Sequence, residues 1–347
     1  MSRVEHVALA VLSVLVVCQS RAAAMPELEL GASPRGGLDP TAGAAPIGEG
    51  GPWAWDAGAD DCGRHKAPPL EVRWLDTRTA VLREGPCTTP EAPFMYLLLG
   101  RERALLVDTG DVAESDRVPL GATVLGLLPV REGVRLPLLV AHTHSHLDHR
   151  SGDPQFTGQP GVEVFPSDLE GVRARFDLSA WPEGTSLLDL GGRLVDVIPA
   201  PGHSSADLVY YDREDALVLS GDVLLPGRLL ISDPAAAAAS AGRLAAFVRD
   251  RPVRSVLGGH VEQDTSGALF PWRASFHPGE RPLQLARERL LALPEVLASF
   301  NGLWSERDGQ VVVCGQRLLL LAGGLATLLL AGAAWPLLRW LRRRARQ

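Results

Sequence analysis

His144-Ser145-His146-Leu147-Asp148-His149 places four side chains able to bind a metal within six residues, at the end of a short apolar segment. The preceding run, Leu136 to Ala141, reads as a buried strand: it is apolar, bounded by Gly133 and Pro137, and too short for a helix. In near-extended backbone, residues 144, 146 and 148 project to one side and His149 leaves from the opposite edge. That geometry suits two adjacent ions better than one. Chance is a poor explanation, because the chain has nine histidines in 347 residues and four of them fall between 142 and 149.

Further candidate ligands follow in order, each behind an apolar run. Leu194 to Ile198 leads to Pro201-Gly202-His203, Leu217 to Gly221 ends in Asp222, and Ser255 to Gly259 ends in His260. Upstream, Ala104 to Val107 runs into Asp108-Thr109-Gly110. This combination resembles the metallo-β-lactamase-fold hydrolases, in the branch of glyoxalase II and the lactonases, over roughly residues 70 to 275. The resemblance implies that His144, His146 and His203 bind one metal, that Asp148, His149 and His260 bind a second, and that Asp222 bridges them. It also implies that Asp108 supports the ligands from behind. His142 matches no ligand position and is read as a strand residue.

Imidazole and carboxylate without thiolate form a borderline-to-hard donor set that suits Zn, with Fe or Mn also compatible. Two divalent ions ~4 Å apart can share a water, lower its pKa towards ~7 and polarise a carbonyl beside it. The nucleophile is then expected to be a metal-bridging hydroxide, which needs no Gly-x-Ser-x-Gly elbow, and none is present. Asp148 is the expected catalytic residue, holding the second ion while orienting that hydroxide.

Departures from the family's branches narrow the substrate. Zinc β-lactamases carry cysteine where this chain has Asp222, which argues against drug hydrolysis. Glyoxalase II matches the ligand pattern, but its usual basic glutathione-binding segment is missing here. Only 37 residues separate Asp222 from His260, leaving no room for a nuclease module, and the net charge of -7 offers no nucleic-acid footprint. Cleavage of an ester, thioester, lactone or related bond in a small molecule is therefore expected. The alternatives are a mononuclear iron oxidoreductase resembling the persulfide dioxygenases, and a metal-binding scaffold without turnover. Tyr210 and Arg228 are candidates for orienting substrate, with pocket walls from loops 111–133, 153–185 and 223–233.

The chain ends suggest export. Residues 1–24 read as a signal peptide, with Arg3, an apolar stretch from Val7 to Val17 and Ala22-Ala23-Ala24 as a cleavage signal. Residues 25–68 are a Gly/Ala/Pro-rich spacer, which Trp53 and Trp55 could pin back onto the domain. The catalytic domain is expected over 69–275 and a helical extension over 276–316. Residues 317–338 contain 21 uncharged residues, Leu318 to Leu338, and read as a transmembrane helix. The five arginines of 339–347 would form a basic cytoplasmic tail, leaving the catalytic domain outside.

Cys62 and Cys87 are the candidate disulfide, since Cys18 would leave with the signal peptide and Cys314 lies beside the hydrophobic stretch. Asp233-Pro234 predicts a helix start, and Leu283 to Phe300 a second amphipathic helix. The expected architecture is α/β, a four-layer αβ/βα sandwich with a dinuclear site between its sheets and a C-terminal transmembrane helix. Oligomeric state is left open.

Overall fold

Apolar runs of four to six residues, broken by Gly, Pro and Asp, set the strands. The computed structural model describes residues 54–315 and 317. In chain order the strands are β1 (Leu70–Trp74), β2 (Thr79–Glu84), β3 (Phe94–Leu99), β4 (Ala104–Val107), β5 (Val130–Arg131), β6 (Val134–Arg135), β7 (Leu138–Ala141) and β8 (Val162–Val164). There follow β9 (Ser186–Asp189), β10 (Leu194–Pro199), β11 (Leu208–Asp212), β12 (Leu217–Gly221), β13 (Arg228–Leu230), β14 (Ser255–Gly258), β15 (Gln284–Leu285), β16 (Trp304–Arg307) and β17 (Gln310–Val313). The α-helices are α1 (Leu120–Leu127), α2 (Leu169–Arg175), α3 (Pro234–Val248) and α4 (Arg287–Ala298).

Two six-stranded sheets carry the fold, in the orders β1-β2-β3-β4-β7-β8 and β15-β14-β12-β11-β10-β9. Side-chain alternation along β3 shows how they pack. Phe94, Tyr96 and Leu98 enter the core between the sheets, where Val197, Tyr210, Leu219 and Leu257 meet them. Met95, Leu97 and Leu99 face the other way, onto Leu120 and Val124 of α1. The outer face of the second sheet, with Val209, Val218 and Val256, is covered by Leu244 of α3 and Leu290 of α4. Because both faces are covered, β2, β3, β11 and β12 are buried along their whole length.

The pairing directions bring the ligand-bearing segments together. β4 runs parallel to β7, and β12 parallel to β14. β10 and β12 are both antiparallel to β11, and therefore share a direction. The chain thus leaves β4, β7, β10, β12 and β14 at carboxyl ends on one edge of the sandwich.

Asp233 caps α3, its Oδ1 accepting from the amides of Ala235 and Ala236 at 3.0 Å, with Pro234 in the first turn. α4 begins later than the apolar pattern predicts, because Gln284 and Leu285 pair with Leu257 and Val256 at the sheet edge. The extension at 276–316 is not wholly helical: β16 and β17 form a hairpin whose second strand pairs in parallel with β13. In the expected spacer, Trp55 is buried against Phe94, ring centroids 5.3 Å apart, and Cys62 is joined to Cys87 by a disulfide.

The expected fold class needs correction in its membrane part. Among the described residues no helix is long and apolar enough to cross a membrane, the longest being the 15-residue α3. What is observed is a mixed α/β sandwich. The segment expected to be a signal peptide (1–24), Trp53, the apolar stretch from Leu318 and the basic segment after it lie outside the described residues.

Candidate metal centre

Every expected ligand sits just past a strand end. His144 and His146 follow β7, and Asp148 and His149 occupy a 3₁₀ turn at Leu147–His149. His203 follows β10, Asp222 follows β12 and His260 follows β14. Two glycines allow the close approach. Gly221 has φ +50°, and a Cβ there would lie 2.6 Å from that of Thr143. At Gly259 a Cβ would fall 2.6 Å from Oδ1 of Asp222 and 2.7 Å from Cε1 of His149.

The side chains form two groups, His144/His146/His203 and Asp148/His149/Asp222/His260. In the first, Nε2 of His144, Nδ1 of His146 and Nε2 of His203 lie 2.9 to 3.2 Å from one another. In the second, Nε2 of His149 and Nε2 of His260 are 3.1 Å apart. Oδ2 of Asp148 is 3.6 Å from the former and 3.4 Å from the latter. Asp222 spans the groups, with Oδ1 3.5 Å from His149 Nε2 and Oδ2 3.5 Å from His203 Nε2.

Proton placement tests whether these donors fit a cation. Nδ1 of His203 faces the Leu230 carbonyl and Nδ1 of His260 the Glu91 carbonyl, each at 2.6 Å. Carbonyls only accept, so each Nδ1 carries its proton and each Nε2 is left as a lone pair. His149 Nδ1 is matched to Asp108 Oδ2 at 2.9 Å. Thr143 Oγ1 donates to Asp108 Oδ2 at 2.8 Å, which leaves it to accept from His144 Nδ1 at 3.1 Å. With neutral rings, the form that binds a metal, the inward nitrogens of His144, His149, His203 and His260 meet lone pair to lone pair, and buried Oδ1 of Asp222 has no hydrogen-bond partner among the described residues. Divalent cations satisfy this arrangement, and the outer partners fix each ring.

Charge coupling follows the geometry. Burial disfavours charge on Asp222, but His260, His149 and His203 hold its carboxyl well below the usual range. Burial likewise opposes ionisation of Asp148, and His149 and His260 bring it down to about 2. Among the side chains alone, burial opposes charge on His260 but Asp222 and then Asp148 hold it up to about 9, so the carboxylates draw in a positive charge that a divalent ion would supply in place of the proton. Burial, with His149 beside it, pushes His144 well below an ordinary histidine.

A cavity of about 160 Å³ opens onto the centre. Its far wall includes Leu225, Arg228, Val261, Phe270 and Trp272. Arg228 stacks over the Trp272 ring at 4.4 Å, pairs with Glu262 at 3.2 Å and donates to the Phe270 carbonyl. Loops 111–133 and 153–185 contribute no lining residue; residues 261–277 take that place beside 225–230. Tyr210 is not a wall residue: it is fully buried in the inter-sheet core and its hydroxyl donates to the His142 carbonyl at 2.8 Å. His142 is turned away from the centre towards Asp153, 2.8 Å from its Nε2.

Four supports were not singled out from sequence. Asp207 accepts from the amides of His203 and Ser204 at 2.9 and 2.7 Å, a turn signalled by an Asp four residues after the histidine. The carbonyls of Leu230 and Glu91 carry no side-chain signal. Thr143 shows one only once Asp108 is placed beside it.

The family description "Metallo-beta-lactamase superfamily" matches residues 88–302. The acyl-coenzyme A thioesterase MBLAC2 of Homo sapiens is 29% identical over 215 residues, 51% of this chain and 75% of that protein. A hydroxyacylglutathione hydrolase of Dechloromonas aromatica is 30% identical over 161 residues, 45% of this chain and 54% of the hydrolase. A solved metallo beta lactamase of Hirschia baltica aligns at 16% identity with a TM-score of 0.46, covering 66% of this chain and 98% of its own. Since the family match takes in well over half of the 347 residues, the chain belongs to the metallo-beta-lactamase superfamily and is an enzyme of its hydrolase class.

Proposed function

We propose that the protein is a dinuclear, zinc-dependent thioesterase acting on a small acyl-thiol ester. The observation that carries this reading is the convergence of seven donors into two groups that share Asp222, with the outer nitrogens of four histidines already partnered. The names of two relatives, an acyl-coenzyme A thioesterase and a hydroxyacylglutathione hydrolase, both point to thioesters and favour them over lactones. The complete donor set weighs against a scaffold without turnover.

His144, His146 and His203 would hold one ion, Asp148, His149 and His260 the other, and Asp222 both. Bound divalent ions supply Lewis acidity towards the thioester carbonyl and acidify water at neutral pH. Asp148 faces the cavity, where its carboxylate would accept a hydrogen bond and orient the attacking water. The thiol leaving group, with an ordinary pKa of ~8.5, departs without a strong acid. Leu225, Val261 and Phe270 offer the acyl group an apolar wall.

The Cys62–Cys87 disulfide supports work in an oxidising, extracytoplasmic compartment. Thiol labelling in intact cells should leave that pair unmodified, and free thiols at both positions would refute this placement. For the activity, the zinc-loaded full chain is assayed for thiol release from acyl-coenzyme A and S-acylglutathione esters. Chelator-sensitive turnover of at least one series is expected. No release from either, with both sites loaded, would refute the thioesterase reading.

A further inference from the structure

The hairpin β16–β17 lies beyond residue 302, where the family match ends, yet it is built into the wall of the site. β17 pairs with β13 in the register Arg228↔Val311, Leu229↔Val312 and Leu230↔Val313. β13 has no other strand neighbour in that sheet. It carries two groups that the centre uses: the Leu230 carbonyl that orients His203, and Arg228 in the cavity wall.

The start of the second hairpin strand makes a further tie. Gln310 is 2% exposed, and its Nε2 donates to the Gly227 carbonyl, 2.6 Å away, immediately before Arg228. The neighbouring Gly309 carbonyl accepts from Nε2 of Gln263 at 3.0 Å. Gln263 follows Glu262, the residue that pairs with Arg228. The hairpin therefore fastens together the segment after Asp222 and the segment after His260, which with Pro90 and Glu91 form the non-metal wall.

We infer that Gln310 is a positioning residue for the proposed hydrolysis: by fixing Gly227 it sets β13, and through Leu230 and Arg228 it sets the His203 ring and the wall facing the substrate. The inference rests on the metal-dependent reading of the site, but its first readout does not require turnover. Replacing Gln310 by Met keeps the approximate size and leaves a buried carbonyl without its donor. β13 is then free to shift, and the loss of a fixed outer partner weakens a histidine ligand by about 10- to 100-fold in metal affinity.

The test is Gln310→Met in the full chain, with folding checked by circular dichroism. Zinc affinity is measured against a chelating dye, and kcat and KM with acyl-thioesters at saturating zinc. Expected are about ten-fold weaker binding of one of two zinc ions and a several-fold rise in KM, with kcat within about three-fold of the parent. Gln310→Leu removes the same donor to the Gly227 carbonyl and should move both readouts the same way; it carries the test if Gln310→Met does not fold. Glu306→Ala, on the exposed part of β16, should change neither. Parental zinc affinity and KM in a folded Gln310→Met or Gln310→Leu would overturn the inference. Absence of thioester turnover in the parent would instead count against the proposed function, with the zinc readout still able to decide the role of Gln310.

Discussion

Asp108 Oδ2 lies 2.9 Å from Nδ1 of His149, and both side chains are sealed from solvent. The same carboxylate accepts from the amide of Thr143 at 2.7 Å and from its hydroxyl. One residue at the end of β4 thus fixes both the loop that carries the ligands and the ring that points into the second group. Its φ of +67° is a conformation that Asp tolerates better than most residues.

Asp108→Asn retains the shape but loses the charge facing His149. Affinity for one of the two ions should fall by about 10- to 100-fold, with a cooperative unfolding transition retained. Zinc competition against a dye reads this directly, and unchanged affinity would show that the pairing does not tune the ligand.

Tyr210→Phe separates a core role from a substrate role. The hydroxyl bonds to the His142 carbonyl inside the inter-sheet core, so its removal should cost about 1–2 kcal/mol of stability and leave KM within two-fold. Urea unfolding together with steady-state kinetics checks this. A large KM increase at unchanged stability would return Tyr210 to the substrate site.

Burial pushes Glu84 up to about 7 from 4.5, opposed by the amide of Asp111. A carboxyl with a raised folded pKa binds more protons in the folded state between the two values. Its contribution is therefore fully present below about pH 4.5 and is lost as pH rises through about 7. Glu84→Gln stays neutral throughout. Relative to the parent it should be close to neutral at pH 4.5 and more stable by about 3 kcal/mol above pH 7. Paired denaturant melts across that range would contradict this if the difference did not grow with pH.

Asp222→Cys tests the shared carboxylate. A thiolate would serve one cation as a soft terminal ligand, whereas the carboxylate faces both groups with separate oxygens. Thioester hydrolysis should drop by at least about a hundred-fold, and Asp222→Ala should lose more. Near-parental rates and two bound ions in both variants would make Asp222 a bystander.

The candidate metal cluster is legible in the sequence because its members are side chains placed directly after short apolar strands, and strand direction alone carries them to one edge. Asp108 was legible for the same reason. The cavity wall was not. Residues 261–277 contain few regular elements, and they reach the site through contacts such as Arg228 with Glu262, which join distant parts of the chain. Tyr210 lies in the core, a placement hidden in the sequence because alternation along β11 says that it faces inward but not whether inward means cavity or core. The hairpin at 304–313 was missed because its apolar run, Val311 to Val313, is only three residues long and is completed by β13. Leu230 and Glu91 act through backbone carbonyls, which every residue type possesses.

In the proposed mechanism, two ions sharing Asp222 are both needed for thioester cleavage. Its most direct test is to add zinc stepwise to metal-free protein while recording bound metal per chain and thiol release from the best acyl-thioester. The account predicts that activity stays low through the first equivalent and rises to its plateau as the second binds, with two ions per chain at saturation. Full activity at one ion per chain, or turnover in the metal-free protein, would contradict it.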